Sequence, residues 1–342
     1  MTKAAFPRST ALALTLGLAG AAAGVGLGVP AGALVGSSVV VSIAALARAS
    51  LRVPTPLRDI GFAVIGLSLG AGIGPETIVQ APRWGISLIG LALSVATTML
   101  GGAVLLRYAF RLDPTTALLS ASPGTMSYAL AIAAEGRGDA GTILVLQVLR
   151  LLILATALPL LLVAFVMPAS QPPTVQTMPP GALFCVSAVV AAVGWLAARR
   201  GLPAAFLIAG MGVNGVAHVT GLVEGAAPAW MLFGGFALTG AALGARMTDM
   251  PLARVRALGG AAVAVVVLAM AIAGAFAWTT SVLTGLPNGQ IWVAYAPGGV
   301  EAMAAIGLAM GYDPAFIATH HLFRIGLLVF LLPLALSRTR AG

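Results

Sequence analysis

Apolar and polar positions separate cleanly along this chain. From about residue 10 onward, long apolar runs are divided by short polar breaks, and the runs form two sets of six. The first set covers roughly 10–28, 31–48, 60–74, 84–106, 114–134 and 140–167; the second covers roughly 181–198, 203–222, 229–246, 257–280, 288–310 and 315–336. Most approach the ~20 residues with which an α-helix crosses ~30 Å of hydrocarbon. The fold class expected is an all-α polytopic membrane protein, with the lipid bilayer as its surroundings. The uncharged, proline-rich stretch "MPASQPPTVQTMPPG" lies between the sets and reads as a linker. The chain thus divides into a membrane repeat over 1–167, a linker over 168–180 and a second membrane repeat over 181–342.

The second set copies the first. A shift of 174 residues places Gly61, Phe62, Ala63, Gly66, Leu69, Gly70 and Ala71 on Gly235, Phe236, Ala237, Gly240, Leu243, Gly244 and Ala245. The same shift places Pro123, Gly124, Asp139, Arg150 and Pro159 on Pro297, Gly298, Asp313, Arg324 and Pro333. Glycine and alanine align by chance in such a composition, whereas Asp, Arg and Pro in one register do not.

Arginine-rich loops change places between the copies. Arg48, Arg52 and Arg58 follow the second segment of the first copy, and Arg107 and Arg111 follow its fourth. In the second copy Arg199 and Arg200 follow the first segment, and Arg246, Arg254 and Arg256 the third. Under the positive-inside rule these loops are cytoplasmic, so the copies form two inverted repeats. Opposite orientation needs an odd number of crossings per copy. One segment in each copy therefore enters and leaves on the same side, which leaves about 10 transmembrane helices plus two re-entrant or broken segments, with both termini cytoplasmic and the linker external.

The interrupted segments are "ASPGTMSYALAIAAEGRGD" and "YAPGGVEAMAAIGLAMGYD", which carry Pro123-Gly124 and Pro297-Gly298. Proline removes a backbone donor and clashes with the preceding turn, while glycine tolerates a sharp reversal. Half of such a segment is ~15 Å of helix, enough to reach the bilayer midplane. A re-entrant hairpin is the first reading. In the other, the broken helix crosses once and the short "GFAVIGLSLGAGIG" re-enters. Non-helical backbone at membrane depth is tolerated only inside protein or beside a water-filled cavity, and paired interruptions in inverted halves point to a solute site near the midplane. A plain kink in two packed helices is the structural alternative.

Composition narrows the partners. Of 342 residues 60% are hydrophobic and 8% charged, and 18 Lys+Arg against 9 Asp+Glu give a formal +9. The positive residues stand singly or in pairs between apolar runs, not as a basic face interleaved with aromatics, so no nucleic-acid partner is expected. The single cysteine, Cys185, excludes a disulfide framework and is read as a small packing residue. Lys3 and Arg8 ahead of "ALALTLGLAGAAAGVGLG" imitate a signal peptide. A comparable span, "ALFCVSAVVAAVGWLAARR", stands in the middle of the chain, so the first is read as a membrane helix.

Arg150 and Arg324 are the candidate binding residues, because an intramembrane arginine is costly unless it faces a cavity or a partner. With Pro123, Gly124, Pro297 and Gly298 they define the candidate substrate site, where half-helix dipoles and guanidinium forks favour a small organic anion. The rival reading has the arginines neutralising Glu301 or capping the hairpins. Glu301 falls opposite Ser127, breaks the symmetry of the copies and is the candidate coupling group. Gln147 and His321 share one register and form a polar position in both copies, whereas His320 aligns with Leu146. Neighbouring histidines point about 100° apart on a helix and cannot chelate one ion together. His218 is placed near an external loop, and Asp139 and Asp313 are read as helix N-caps. No catalytic residue, metal site or cofactor is expected, and a homo-oligomer is left open.

"APGGVEAMAAIGLAMGYDPAFIATHHLFRI", "GLPAAFLIAGM" and "ALTGAALGARM" resemble motifs of the AbrB-type bacterial membrane proteins, over nearly the whole chain. That resemblance implies an internally duplicated protein of the bacterial inner membrane, linked by name to regulation of gene expression and often labelled an ammonia monooxygenase. The name is shared with an unrelated soluble DNA-binding regulator. A copper or iron oxygenase needs several His or carboxylate ligands within reach of one another, and three histidines, two adjacent, do not supply them. The expectation is a secondary transporter whose effect on expression is indirect. The alternative is an AbrB-type membrane regulator or scaffold without transport.

Overall fold

The computed structural model describes residues 7–47, 49–123, 126–165, 176–248 and 250–338. Helices α1 (Arg8–Gly26), α2 (Gly32–Leu46), α3 (Thr55–Ala71) and the short α4 (Pro75–Gln80) lead through a 3-10 turn at Ala81–Trp84 into α5 (Gly85–Ala109). Two half-length helices follow, α6 (Pro114–Ala121) and α7 (Met126–Ala134), and then α8 (Ala140–Phe165). The second half of the chain runs α9 (Pro180–Arg199), α10 (Ala205–Val219), α11 (Ala229–Ala245) and α12 (Leu252–Thr284). Another half-length pair, α13 (Asn288–Tyr295) and α14 (Val300–Ala309), precedes α15 (Pro314–Arg338).

Among the described residues six helical stretches can cross a membrane by length and composition: Arg8–Gly26, Ala81–Ala109, Ala140–Phe165, Pro180–Arg199, Leu252–Thr284 and Pro314–Ser337. Shorter apolar helices include Gly32–Leu46, Ala205–Val219 and Ala229–Ala245. The long helices keep apolar faces uncovered: only 17% of the apolar window of α9 is buried. Trp278 and Phe330 project outward from α12 and α15. Uncovered apolar surface of this extent is matched by a hydrocarbon solvent. Cys185 is exposed on α9, so the packing role expected for it is corrected: α9 is the least covered of these helices. Most of the 168–180 linker and Gly124 lie outside the described residues.

The chain forms two compact units, and each draws on both halves of the sequence. The first contains Met1–Ala81, Pro159–Asp249 and Ala304–Ala315. Its helices meet at glycines. Gly66 on α3 sits against the Leu207 carbonyl of α10, and Gly240 on α11 against the Leu34 carbonyl of α2. A Cβ on Gly210 would lie 2.7 Å from the Leu67 nitrogen and 2.8 Å from the Ala63 carbonyl, so only glycine permits this approach. Two buried side chains fasten the same crossings: Ser37 Oγ donates to the Ala237 carbonyl (2.7 Å) and Asn214 Nδ2 to the Leu67 carbonyl (2.6 Å). At the entries to α2 and α10, Ala31 (φ 51°) and Ala204 (φ 49°) are left-handed, each three residues after a left-handed glycine, Gly28 or Gly201.

The second unit contains Pro82–Leu158, Met250–Met303 and Phe316–Gly342. In it α5 packs on α6 and α12, and α12 on α13. This unit holds both interruptions and both buried arginines.

Candidate functional site

The half-length helices are cut by the residues that sequence analysis singled out. Asp113 starts α6 by accepting from the backbone of Thr115 (3.0 Å) and Thr116 (2.9 Å), with Pro114 at the first helical position. The helix stops at Ala121 because Ser122 precedes Pro123 and is forced into extended geometry (φ −62°, ψ 119°). The second interruption has the same cause. Ala296 precedes Pro297 and is likewise extended (φ −55°, ψ 133°), which ends α13 at Tyr295.

Each interruption is a reversal. Asp139, beyond the end of α7, donates its backbone N–H to Thr116 Oγ1 (2.8 Å), so the exit of α7 lies beside the entrance of α6. From there α8 runs alongside α6 in the same direction. Gln147 Nε2 reaches the Leu119 carbonyl (2.8 Å), and one turn on Arg150 Nη1 reaches those of Ser120 (3.4 Å) and Ser122 (2.9 Å). On the other side His321 Nε2 bonds the Val293 carbonyl (3.2 Å), while Arg324 donates from Nη1 to Ala296 (2.6 Å) and from Nη2 to Gly298 (2.5 Å). Parallel α13 and α15 require α14 to carry the chain back between them. Gln147 and His321, Leu119 and Val293, Arg150 and Arg324, and Ser122 and Ala296 are all 174 residues apart.

The arginine forks thus close on backbone carbonyls. A half-helix ending at a reversal leaves carbonyls without intrahelical donors, and both guanidiniums supply them. Arg150 also bonds Gln147 Oε1 through Nη2 (3.3 Å). Both arginines are buried, at 2% and 0% exposure, and the Nε of each has no hydrogen-bond partner among the described residues. The charges of Arg150 and Glu301 both act on Arg324, which places the three in one electrostatic cluster. Glu301 stands in the first turn of α14, where the helix dipole favours a carboxylate, and folds back so that a Cβ on Gly299 would lie 3.2 Å from it.

Asp139 and Asp313 cap α8 and α15. Asp139 accepts from the Gly141 backbone (2.9 Å) and the Thr142 hydroxyl (2.6 Å), and Asp313 from the Ala315 backbone (2.8 Å). The Thr142 hydroxyl, with the amides of Gly141 and Thr142 and the Arg254 guanidinium, holds the Asp139 carboxyl below its ordinary range against a partial desolvation. In the other unit His218 lies between the carbonyls of Asn214 and Gly225, 2.9 Å from each.

Sequence reasoning missed one cluster. His320, Ser87, Tyr295 and Thr280 come from α15, α5, α13 and α12 and are linked by short hydrogen bonds. No spacing along the chain connects them; the serine and the histidine are 233 positions apart.

The family described as transition state regulatory protein AbrB matches residues 33–340. The chain is also 25% identical over 333 residues to "Uncharacterized protein YhjN" of Bacillus subtilis (strain 168), covering 88% of this chain and 85% of that one.

Proposed function

The chain belongs to the AbrB family, and from that premise we propose that it is a secondary transporter of a small organic anion in the bacterial inner membrane, any effect on gene expression being indirect. The observation that carries this reading is the pair of helix reversals, each braced by a buried arginine. Backbone without regular hydrogen bonding inside an apolar protein belongs beside a cavity or a solute, and two such places in one unit are the architecture of a midplane site. Glu301, in the first turn of α14, is the carboxylate of the cluster that Arg150 and Arg324 form. Arg150 and Arg324 then have two tasks: capping the reversals and presenting their remaining N–H groups, with Pro123, Pro297, Gly298, Gln147 and His321 as the further proposed binding residues and Gly124, outside the described residues, proposed from its register with Gly298 alone. Glu301 is the proposed coupling group.

The architecture proposed with it is two inverted repeats, 1–167 and 181–342, each giving five crossings and one re-entrant hairpin. Three observations support it: the 174-residue offset of the hydrogen bonds at both reversals, the matched left-handed entries of α2 and α10, and the paired crossings of α3 on α10 and α11 on α2. Three helices of 15–17 residues and the 17-residue α3 then join the six long ones as crossings.

A specific observation favours a second reading of the arginines. Their best hydrogen bonds go to carbonyls, so they serve as caps alone if the cargo is neutral or cationic. Reconstitution decides among these. Proteoliposomes should show saturable flux of a mono-, di- or tricarboxylate or of inorganic phosphate, and the same solute should raise the melting temperature of purified protein. Arg150→Lys and Arg324→Lys should weaken that effect and the glutamine variants nearly abolish it. Saturable flux of an uncharged or cationic solute with folded glutamine variants still active leaves the capping reading. Folded protein with no saturable flux of any kind leaves the regulator or scaffold.

A further inference from the structure

Two carbonyls fix the protons around His320. The Phe316 carbonyl, 2.7 Å from His320 Nδ1, can only accept, so Nδ1 carries a proton. On the other side of the ring Ser87 Oγ lies 2.7 Å from His320 Nε2 and 2.8 Å from the Trp84 carbonyl, which also can only accept. Serine has one hydroxyl proton for these two contacts. With a neutral ring it serves Nε2 or the Trp84 carbonyl, and the other contact is left without a hydrogen. With an imidazolium, Nε2–H donates to Ser87 Oγ, the serine donates to Trp84, and every short contact holds a proton. The heavy atoms need not move between the two states.

The surroundings keep this arrangement in place. Tyr295 Oη donates to the Ser87 carbonyl (2.5 Å), so Thr280 Oγ1 must be the donor in its 3.1 Å contact with Tyr295. A Cβ on Gly90 would lie 2.6 Å from both of those oxygens, so only glycine lets them meet there. The Phe316 and Trp84 rings stand 3.9 and 6.2 Å from the imidazole, and aromatic faces stabilise a cation. The titratable and charged groups near the ring are Tyr295 from α13, with centroids 6.3 Å apart, and His321 and Arg324 on its own helix. Beyond them Arg150 of α8 and Glu301 of α14 act on Arg324.

We infer that the Ser87–His320 pair is a proton-binding site coupled to anion binding at the arginine-braced reversals, an inference that rests on the transport reading above. An imidazolium buried one helical turn from Arg324 is opposed by desolvation and by like charge. An anion at the reversal offsets both, so proton and anion each favour the entry of the other, and thermodynamic linkage makes the effect reciprocal. The coupling ion is then a proton, carried in the same direction as the anion, with His320 taking the place of Glu301 as its carrier.

Acetate, succinate, citrate and inorganic phosphate are the probes, titrated into full-length protein in detergent between about pH 5 and pH 8, the interval that brackets ordinary histidine titration. Isothermal calorimetry in buffers of different ionisation enthalpy should show uptake of about one proton with the bound probe. Affinity should fall about 5- to 150-fold from the acid to the alkaline end. His320→Gln should remove the uptake and flatten the profile, and Ser87→Ala should displace the profile toward acid pH. Proton uptake that persists in folded His320→Gln places the proton elsewhere, Glu301 first, and overturns the inference without touching the transport reading. A flat profile in the unaltered protein does the same. If none of the probes binds, the anion reading fails, and with it the coupling. Nitrogen NMR of histidine-labelled protein, assigned by replacing His218 and His321 in turn, tests the proton site without any variant at His320: a ring that keeps a single neutral tautomer with the probe bound and free overturns it.

Discussion

A guanidinium inside an apolar protein must find acceptors, and Arg324 finds them in the carbonyls of Ala296 and Gly298. Arg324→Met leaves those carbonyls without donors, at roughly 1–3 kcal/mol each, partly offset because a buried charge is removed as well. Arg150 makes longer bonds, at 2.9 and 3.4 Å to carbonyls, so Arg150→Met should destabilise less. Melting temperatures in detergent give the ranking, and a reversed order removes the capping role. Asp139 supplies a pH-dependent contribution of the opposite charge type. Its carboxyl is held below the ordinary value of 3.8, so the stability it contributes is present above that value and is lost as pH falls through the lower folded one. Melting should therefore weaken below about pH 4. In Thr142→Ala that acid loss should shrink, since the Thr142 hydroxyl is the largest cause; an unchanged acid limb would assign the effect to other carboxylates.

Among the elements, α6 and α13 owe their C-terminal ends to proline, while the helices of the first unit owe their closeness to glycine. Gly66 and Gly240 bring backbones into contact at α3–α10 and α11–α2, and a larger side chain there must separate the helices. Gly66→Leu should abolish the monodisperse peak in size-exclusion chromatography. Gly212→Leu, on α10 with no described atom within 4 Å of its would-be Cβ, should leave that peak in place. Equal tolerance at both positions would mean that α3 and α10 do not cross as described.

For the molecule as a whole, the sign of the loop charges sets the proposed orientation. With both termini cytoplasmic the linker faces outward, so a cysteine at Gln176 in a Cys185→Ser background should react with an impermeant maleimide in intact spheroplasts. Reaction only after the membrane is opened would exclude the inverted arrangement. Cys185 must be replaced first because it is exposed on α9.

Hydropathy and breaker residues act locally, which is why helix positions and both interruptions were legible along the chain. Apolar length decides where a helix can cross, and a proline dictates the geometry of the residue before it, as at Ser122 and Ala296. The aspartate caps were legible for the same reason, since a cap bonds amides two or three positions away. The partners of the buried polar groups were not. Arg150 and Arg324 were singled out from their cost in an apolar segment, but that cost is the same whether the acceptor is a solute or a carbonyl about 28 residues back. His320 lacked even that signal, because its aligned counterpart is Leu146 and its partner Ser87 is an ordinary small residue until α5 and α15 are packed together. The sequence by itself determined the helices and their breaks, both set by interactions within a few residues. Only the tertiary structure decided which donors meet which acceptors, because a hydrogen bond depends on distances of a few tenths of an ångström between segments far apart in the chain.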